Sequence, residues 1–231
     1  MAEWTLYYWP GFKGRGELVR LMFEEAGVAY RDVAKEEDAA ETVTEFFFKG
    51  GQKAGFPARA PPAIQNGDFV LSETAVIMSY LGKKLGISPT SIEDAANVDQ
   101  VLSTVGDAIA EGFRAFRPKS MTDSHESQLD VAKDTLEAFC THRLPAYIGF
   151  IERVLGSNKA GGGFVVGDSV SAADFIVFHF MQALEAELPD AFKTADAPLA
   201  KAHMKQIAER PNIKAYQASD RCADWLGEAF M

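Results

Sequence analysis

Two adjacent tyrosines, Tyr7 and Tyr8, stand in the aromatic run Trp4-Thr5-Leu6-Tyr7-Tyr8-Trp9. A phenol is a hydrogen-bond donor that keeps its proton at neutral pH. Side chains alternate along a strand, so each sheet face receives one of the pair. A hydroxyl at the carboxyl end of such a strand, beside the next helix's N-terminus, lies where ligands bind in α/β layers. The plainer reading is that both rings fill strand positions. Pro61-Pro62 precedes a second strand-like run, where a residue without an N–H belongs. Beyond a rigid turn, a cis bond there would turn backbone groups outward toward an extended ligand. Ser72-Glu73-Thr74 opens a helix, with Ser72 as its expected cap. Free N–H groups at a helix start bind a carboxylate. An acid beside them pairs with an ammonium, so the two together suit the zwitterionic end of an amino acid.

Other patterns carry less. Gly11-x-x-Gly14-x-Gly16 sits between a strand and a helix with Asp32 beyond, the setting of a dinucleotide loop, but Val19 stands where that motif needs Gly or Ala. His125, His142, His179 and His203 fall at no metal-ligand spacing, so no metal is expected. Cys140 and Cys222 form no C-x-x-C pair and no disulfide framework. With 33 acidic against 23 basic residues the net charge is −10, which argues against nucleic acid or an anionic membrane as partner. No run of about 18 apolar residues exists. The start Met1-Ala2-Glu3-Trp4 lacks a secretory pattern, so a cytoplasmic location is expected.

The elements that must position these groups change character near residue 85. A strand at 4–9, a helix at 15–26 closed by Gly27 and a strand at 28–33 come first; residues 35–59 read as irregular. Asn66-Gly67 then joins two short runs as a hairpin, and a helix follows from Ser72 to about Leu85. This order makes a small α/β layer on a mixed four-stranded sheet. The remainder is helical. Ser91 caps a long helix to about Phe116. A second runs from about Ser124 to Leu155, with Pro145 bending it. Ser171 to Asp174 forms a capping box with Val170 and Phe175 as its staple, and later helices span 198–209 and 212–228. The expected division is therefore 1–84 and 92–231.

Taken together, these segments resemble a cytosolic glutathione transferase of the tyrosine-dependent pi, mu and sigma group, over nearly the whole chain. Leu6-Tyr7-Tyr8-Trp9-Pro10 with Lys13 to Arg20 resembles the family's first strand and helix. Pro62 to Leu71 with Glu73-Thr74 resembles its cis-proline hairpin and γ-glutamyl-binding pair, and Phe164 to Asp174 its helical-domain signature. The resemblance implies a thioredoxin-like α/β domain that binds glutathione, and an all-α domain lining a site for hydrophobic electrophiles. It makes Tyr8 the catalytic tyrosine. The loop after Trp9 is one residue longer than the family's usual form, which leaves Tyr7 as the alternative. Arg15 and Lys53 match basic groups near the glycine carboxylate. Phe47 falls where a Trp is usual, losing an indole donor. Pro61 and Pro62 match the cis-proline pair, with only the Pro61 carbonyl left to bond the cysteinyl unit. Glu73 and Thr74 match the γ-glutamyl pair. Asp107 matches an acid that reaches the amine of glutathione in the neighbouring subunit of a homodimer. Trp9, Phe113 and Phe116 are candidates for the electrophile wall.

The implied chemistry is thiol activation. A free thiol has a pKa of about 8.5, and only its thiolate is the nucleophile. A phenol donating to sulfur favours the charged form, and a nearby helix N-terminus adds to it. Glutathione is then a co-substrate. Peroxide reduction and isomerisation are close variants. The rival is a non-catalytic carrier of apolar ligands, or a structural protein, on the same fold.

Overall fold

A computed structural model describes residues 3–227 and 229–230; Met1, Ala2, Glu228 and Met231, touched by the expected N-terminal start and last helix, lie outside them. Four strands are β1 (Trp4–Tyr7), β2 (Tyr30–Asp32), β3 (Ala63–Asn66) and β4 (Phe69–Ser72). The helices are α1 (Gly16–Ala26), α2 (Ala39–Phe48), α3 (Thr74–Lys84), α4 (Ile92–Phe116), α5 (Leu129–Ala138), α6 (Leu144–Ser157), α7 (Ala172–Glu187), α8 (Pro189–Thr194), α9 (Pro198–Ala208) and α10 (Pro211–Gln217). The chain divides into two compact units: residues up to Ser88 with Arg210–Asp224, and Pro89–Glu209 with Trp225 onward.

The first unit is a mixed sheet in the order β2-β1-β3-β4. β1 runs parallel to β2 and antiparallel to β3, and β3 turns back into β4 at the Asn66-Gly67 hairpin. Period-2 geometry buries Trp4, Leu6 and, just past the strand, Tyr8 on one face. Phe23 of α1 and Tyr80 of α3 lie against Trp4 there, at 5.9 and 6.2 Å between ring centroids. Leu18, Leu21 and Met22 of α1 complete that core. Each such side chain contributes about 1.5–3 kcal/mol when buried. On the opposite face Tyr7 stacks on Phe46 of α2 at 4.0 Å. α1 ends as its sequence requires, at Gly27 in the left-handed region with φ 64°.

α2 corrects the irregular reading of 35–59. Ala39, Val43, Phe46 and Phe47 recur at i, i+4, i+7 and i+8 and give the segment one apolar face. The start of α3 also differs: Ser72 ends β4, and Glu73, at φ 76°, is the residue before the first helical position.

In the second unit α4 begins where Ser91 Oγ accepts from the Asp94 amide at 3.0 Å. The single helix expected over 124–155 is instead α5, a π-turn at Phe139–Arg143 and α6. Pro145 supplies no N–H to the Thr141 carbonyl, so the ladder widens just ahead of it. α8 was not expected, and the last helix stops at Gln217 rather than 228. α7 is buried on all sides, as its run of Phe175, Phe178 and Phe180 demands. Its start is held by Asp174, whose carboxylate accepts from the Val165 and Ser171 amides, each at 2.8 Å, and lies 2.9 Å from His203 Nε2. The last described residue, Phe230, is fully buried over Gly112, where a Cβ would lie 2.3 Å from its ring.

Candidate active site

The two tyrosines have different partners because they lie on different faces. The Tyr7 hydroxyl donates to Gln65 Oε1 at 2.9 Å. Register explains the pairing: Tyr7 is opposite Ala63, so Gln65 is its diagonal neighbour on the same face. Gln65 is itself oriented by donating Nε2 to the Gly67 carbonyl at 2.9 Å. The Tyr8 hydroxyl instead accepts from the Arg15 amide at 2.9 Å. Arg15 is the residue before the first turn of α1, so this phenol sits at a helix N-terminus. In that bond the amide is the donor, and the phenol's own proton is not spent on it. Burial raises the Tyr8 phenol above its ordinary range, the Arg15 amide and the Arg15 charge partly opposing. It is a donor and not a phenolate at neutral pH.

Tyr8 is only 3% exposed. The backbone of the 11–16 loop passes directly over it, which is possible because two glycines stand there. A Cβ at Gly14 would lie 2.4 Å from the Tyr8 oxygen, and one at Gly16 would lie 2.5 Å from its ring. The glycine spacing that failed as a dinucleotide motif is thus a cradle for this ring. Phe12 closes the edge, at 5.9 Å between centroids.

Beneath the loop lies a buried charge network that sequence reasoning missed. Lys13 donates to Glu17 Oε1 at 3.3 Å and to Cys222 Sγ at 2.7 Å. Glu17, 3% exposed, also accepts from Arg20 at 3.4 Å and from the Tyr216 hydroxyl at 2.8 Å. Arg20 reaches on to Asp32 at 2.7 Å, and the Lys13 amide donates to the Asp224 carbonyl at 3.1 Å. The Lys13–Glu17 and Glu17–Arg20 spacings, i to i+4 and i to i+3, were the available signal. Burial, with the Glu17 charge second, pushes the Cys222 thiol up, so it is no ready nucleophile.

The remaining expected residues of the first unit are placed as follows. The Pro61–Pro62 bond is cis. Glu73 is exposed at its positive φ, and Thr74 is the first residue of α3. Lys53 is exposed and donates to the Gly50 carbonyl at 3.0 Å. Arg15 is half-buried at the head of α1. Trp9 and Phe47 pack on the Val33–Ala39–Val43 cluster, and Trp9 stacks on Phe48 at 6.3 Å. In the second unit Asp107 is exposed on α4, and Phe113 lies half-buried under the Arg117 guanidinium at 4.8 Å. Phe116, at 4% exposure, lies edge-on to His125 and is buried. Among the described residues no group of three or more His, Cys, Asp or Glu could hold a metal ion.

Residues 119–220 match the family described as Glutathione S-transferase, C-terminal domain. The chain is 28% identical over 221 residues to glutathione S-transferase P 1 of Xenopus laevis, covering 95% of this chain and 94% of that protein. It is 29% identical over 223 residues to glutathione S-transferase P of Homo sapiens, covering 95% and 93%. The solved pi-class glutathione S-transferase of Onchocerca volvulus shares the fold, with a TM-score of 0.75 at 18% identity over 98% of this chain and 99% of that one.

Proposed function

We propose that this chain acts as a cytosolic glutathione transferase, activating the thiol of glutathione through Tyr8 for attack on small hydrophobic electrophiles. The observation that carries the assignment is the direction of one hydrogen bond. The Tyr8 oxygen accepts from the Arg15 amide and its proton remains to be given, whereas Tyr7 gives its proton to Gln65. A sulfur placed against Tyr8 receives that proton in a hydrogen bond, beside the amides of the first turn of α1. Both favour thiolate over thiol. Lowering the thiol pKa by two units takes about 2.7 kcal/mol, most of which one hydrogen bond to a charged group supplies. The thiol proton leaves to solvent. The thiolate electron pair forms the new S–C bond, and with an aryl halide the halide departs with the pair of the broken bond.

In the same proposal Glu73 and Thr74 hold the γ-glutamyl end, the Pro61 carbonyl meets the cysteinyl amide, and Arg15 and Lys53 serve the glycine carboxylate. Residues 1–84 bind glutathione, while 92–231, with Phe113, serve the electrophile. A homodimer, in which Asp107 serves the neighbouring subunit's glutathione, completes the reading. The exposed ring of Phe56, 81% accessible, suits an interface with a second copy. One observation favours the carrier instead: Tyr8 is only 3% exposed, beneath Gly14 and edge-on to Phe12. Retention on immobilised glutathione, together with conjugation to a generic aromatic halide, tests the proposal. Retention without turnover on any electrophile would favour the carrier.

A further inference from the structure

The helical unit contains a half-open cavity of about 910 Å³ that shares no residue with the Tyr8 cluster. Small-molecule sites span about 300–1,000 Å³. Its floor is apolar: Leu144 and Ile148 from α6, with Leu188 and Pro189 at the junction of α7 and α8. Pro145 and the π-turn residues Cys140 and Thr141 line it on one side, and the α8 residues Asp190, Ala191 and Thr194 on the other.

The charged groups around that floor are of one sign. Glu137, Glu187, Asp190 and Asp196 line the cavity, and no lysine, arginine or histidine does. Glu187 is committed elsewhere, accepting from the amides of Gly227, Ala229 and Phe230. Glu137, Asp190 and Asp196 are exposed, and among the described residues no ion pair or side-chain hydrogen bond occupies their carboxylates. An apolar trough under three unpaired carboxylates repels fatty-acid-like anions and gives a neutral ligand no advantage. It complements a molecule that joins an apolar body to a fixed positive charge.

We propose that this cavity is a second ligand site, separate from conjugation, for cationic amphiphiles such as hydrophobic quaternary amines. The half-buried thiol of Cys140 lines it and reports occupancy. The test measures alkylation of Cys140 by N-ethylmaleimide, resolved from Cys222 by peptide mass mapping, in the full-length protein. The probes are octyltrimethylammonium, octyl glucoside and octane sulfonate, each below its micelle concentration. Octyltrimethylammonium should slow Cys140 alkylation at least threefold and leave Cys222 unchanged, with less protection in high salt. The other two probes should protect less than 1.5-fold. Glu137→Gln/Asp190→Asn/Asp196→Asn, all at exposed positions, should abolish the preference for the cation. Ala191→Trp should fill the cavity and abolish cation protection. Equal protection by all three probes, or unchanged cation preference in the neutralised variant, overturns the charge assignment. No protection by octyltrimethylammonium overturns the site.

Discussion

Replacing Tyr8 by Phe removes one oxygen and tests one hydrogen-bond direction. The ring stays where it is, since Gly14 and Gly16 pack on it and Phe12 closes its edge. Two bonds go: the one accepted from the Arg15 amide, and the one proposed to be donated to sulfur. A hydrogen bond to a charged group is worth about 1.5–3 kcal/mol, which corresponds to roughly a 10- to 150-fold loss of turnover. The same energy raises the pKa of the bound thiol by about one to two units. The pH profile of conjugation should therefore shift to higher pH by that amount. Affinity for glutathione should change little, because the groups proposed to hold its two ends are untouched. The orphaned Arg15 amide costs about 1–3 kcal/mol of stability unless water reaches it. The assay is ultraviolet titration of the thiolate in the glutathione complex, paired with conjugation rates, for Tyr8→Phe and Tyr7→Phe side by side. Tyr7→Phe loses only the bond to Gln65, about 0.5–1.5 kcal/mol of stability, and should keep its turnover. Full turnover in Tyr8→Phe with loss in Tyr7→Phe would refute the reasoning.

Glu17→Ala removes the buried carboxylate shared by Lys13, Arg20 and Tyr216, so urea denaturation should register a loss of about 3–5 kcal/mol; Tyr216→Phe should cost about 1–3 kcal/mol. Phe56→Arg should convert the proposed dimer to a monomer in sedimentation analysis, and an unchanged dimer would place the interface elsewhere. The Arg143 guanidinium, forked on Glu111 at 2.8 Å, holds that carboxyl below its ordinary range. A depressed carboxyl contributes its stability above the unfolded pKa of about 4.3 and loses it as pH falls through the lower folded value. Arg143→Ala should flatten stability across that acid window, and NMR titration of Glu111 should move upward.

Elements written in one local pattern were legible. β1, α1 with its Gly27 stop, the Asn66-Gly67 hairpin, α4 with Ser91 and the Ser171–Asp174 start each carry their signal within a few residues. α2 was obscured because three consecutive phenylalanines interrupt its period and glycines follow it closely. The helix break before Pro145 was visible as a bend, but its π-turn depends on how the freed carbonyls are satisfied. At the candidate site, the tyrosine pair was legible and its division of labour was not. That division follows from the register that gives Tyr7 to Gln65 and from the loop that lays Arg15 over Tyr8. The burial of Phe116 was not legible, because aromatic spacing on a helix does not say which face is covered. The partners of Glu17 and Lys13 at Tyr216, Cys222 and Asp224 could not be read at all, since no local pattern links residues about 200 positions apart.

That separation has a consequence for how the chain is made. The sheet and α1 emerge from the ribosome first, yet Glu17, Glu25 and the Lys13 amide meet Tyr216, Arg210 and Asp224 only after the whole helical run has been synthesised. Closing loops of that length is slow, and unsatisfied buried charge keeps the early product open meanwhile. The α/β half is therefore an unfinished fold on the translating chain, completed by its own late residues.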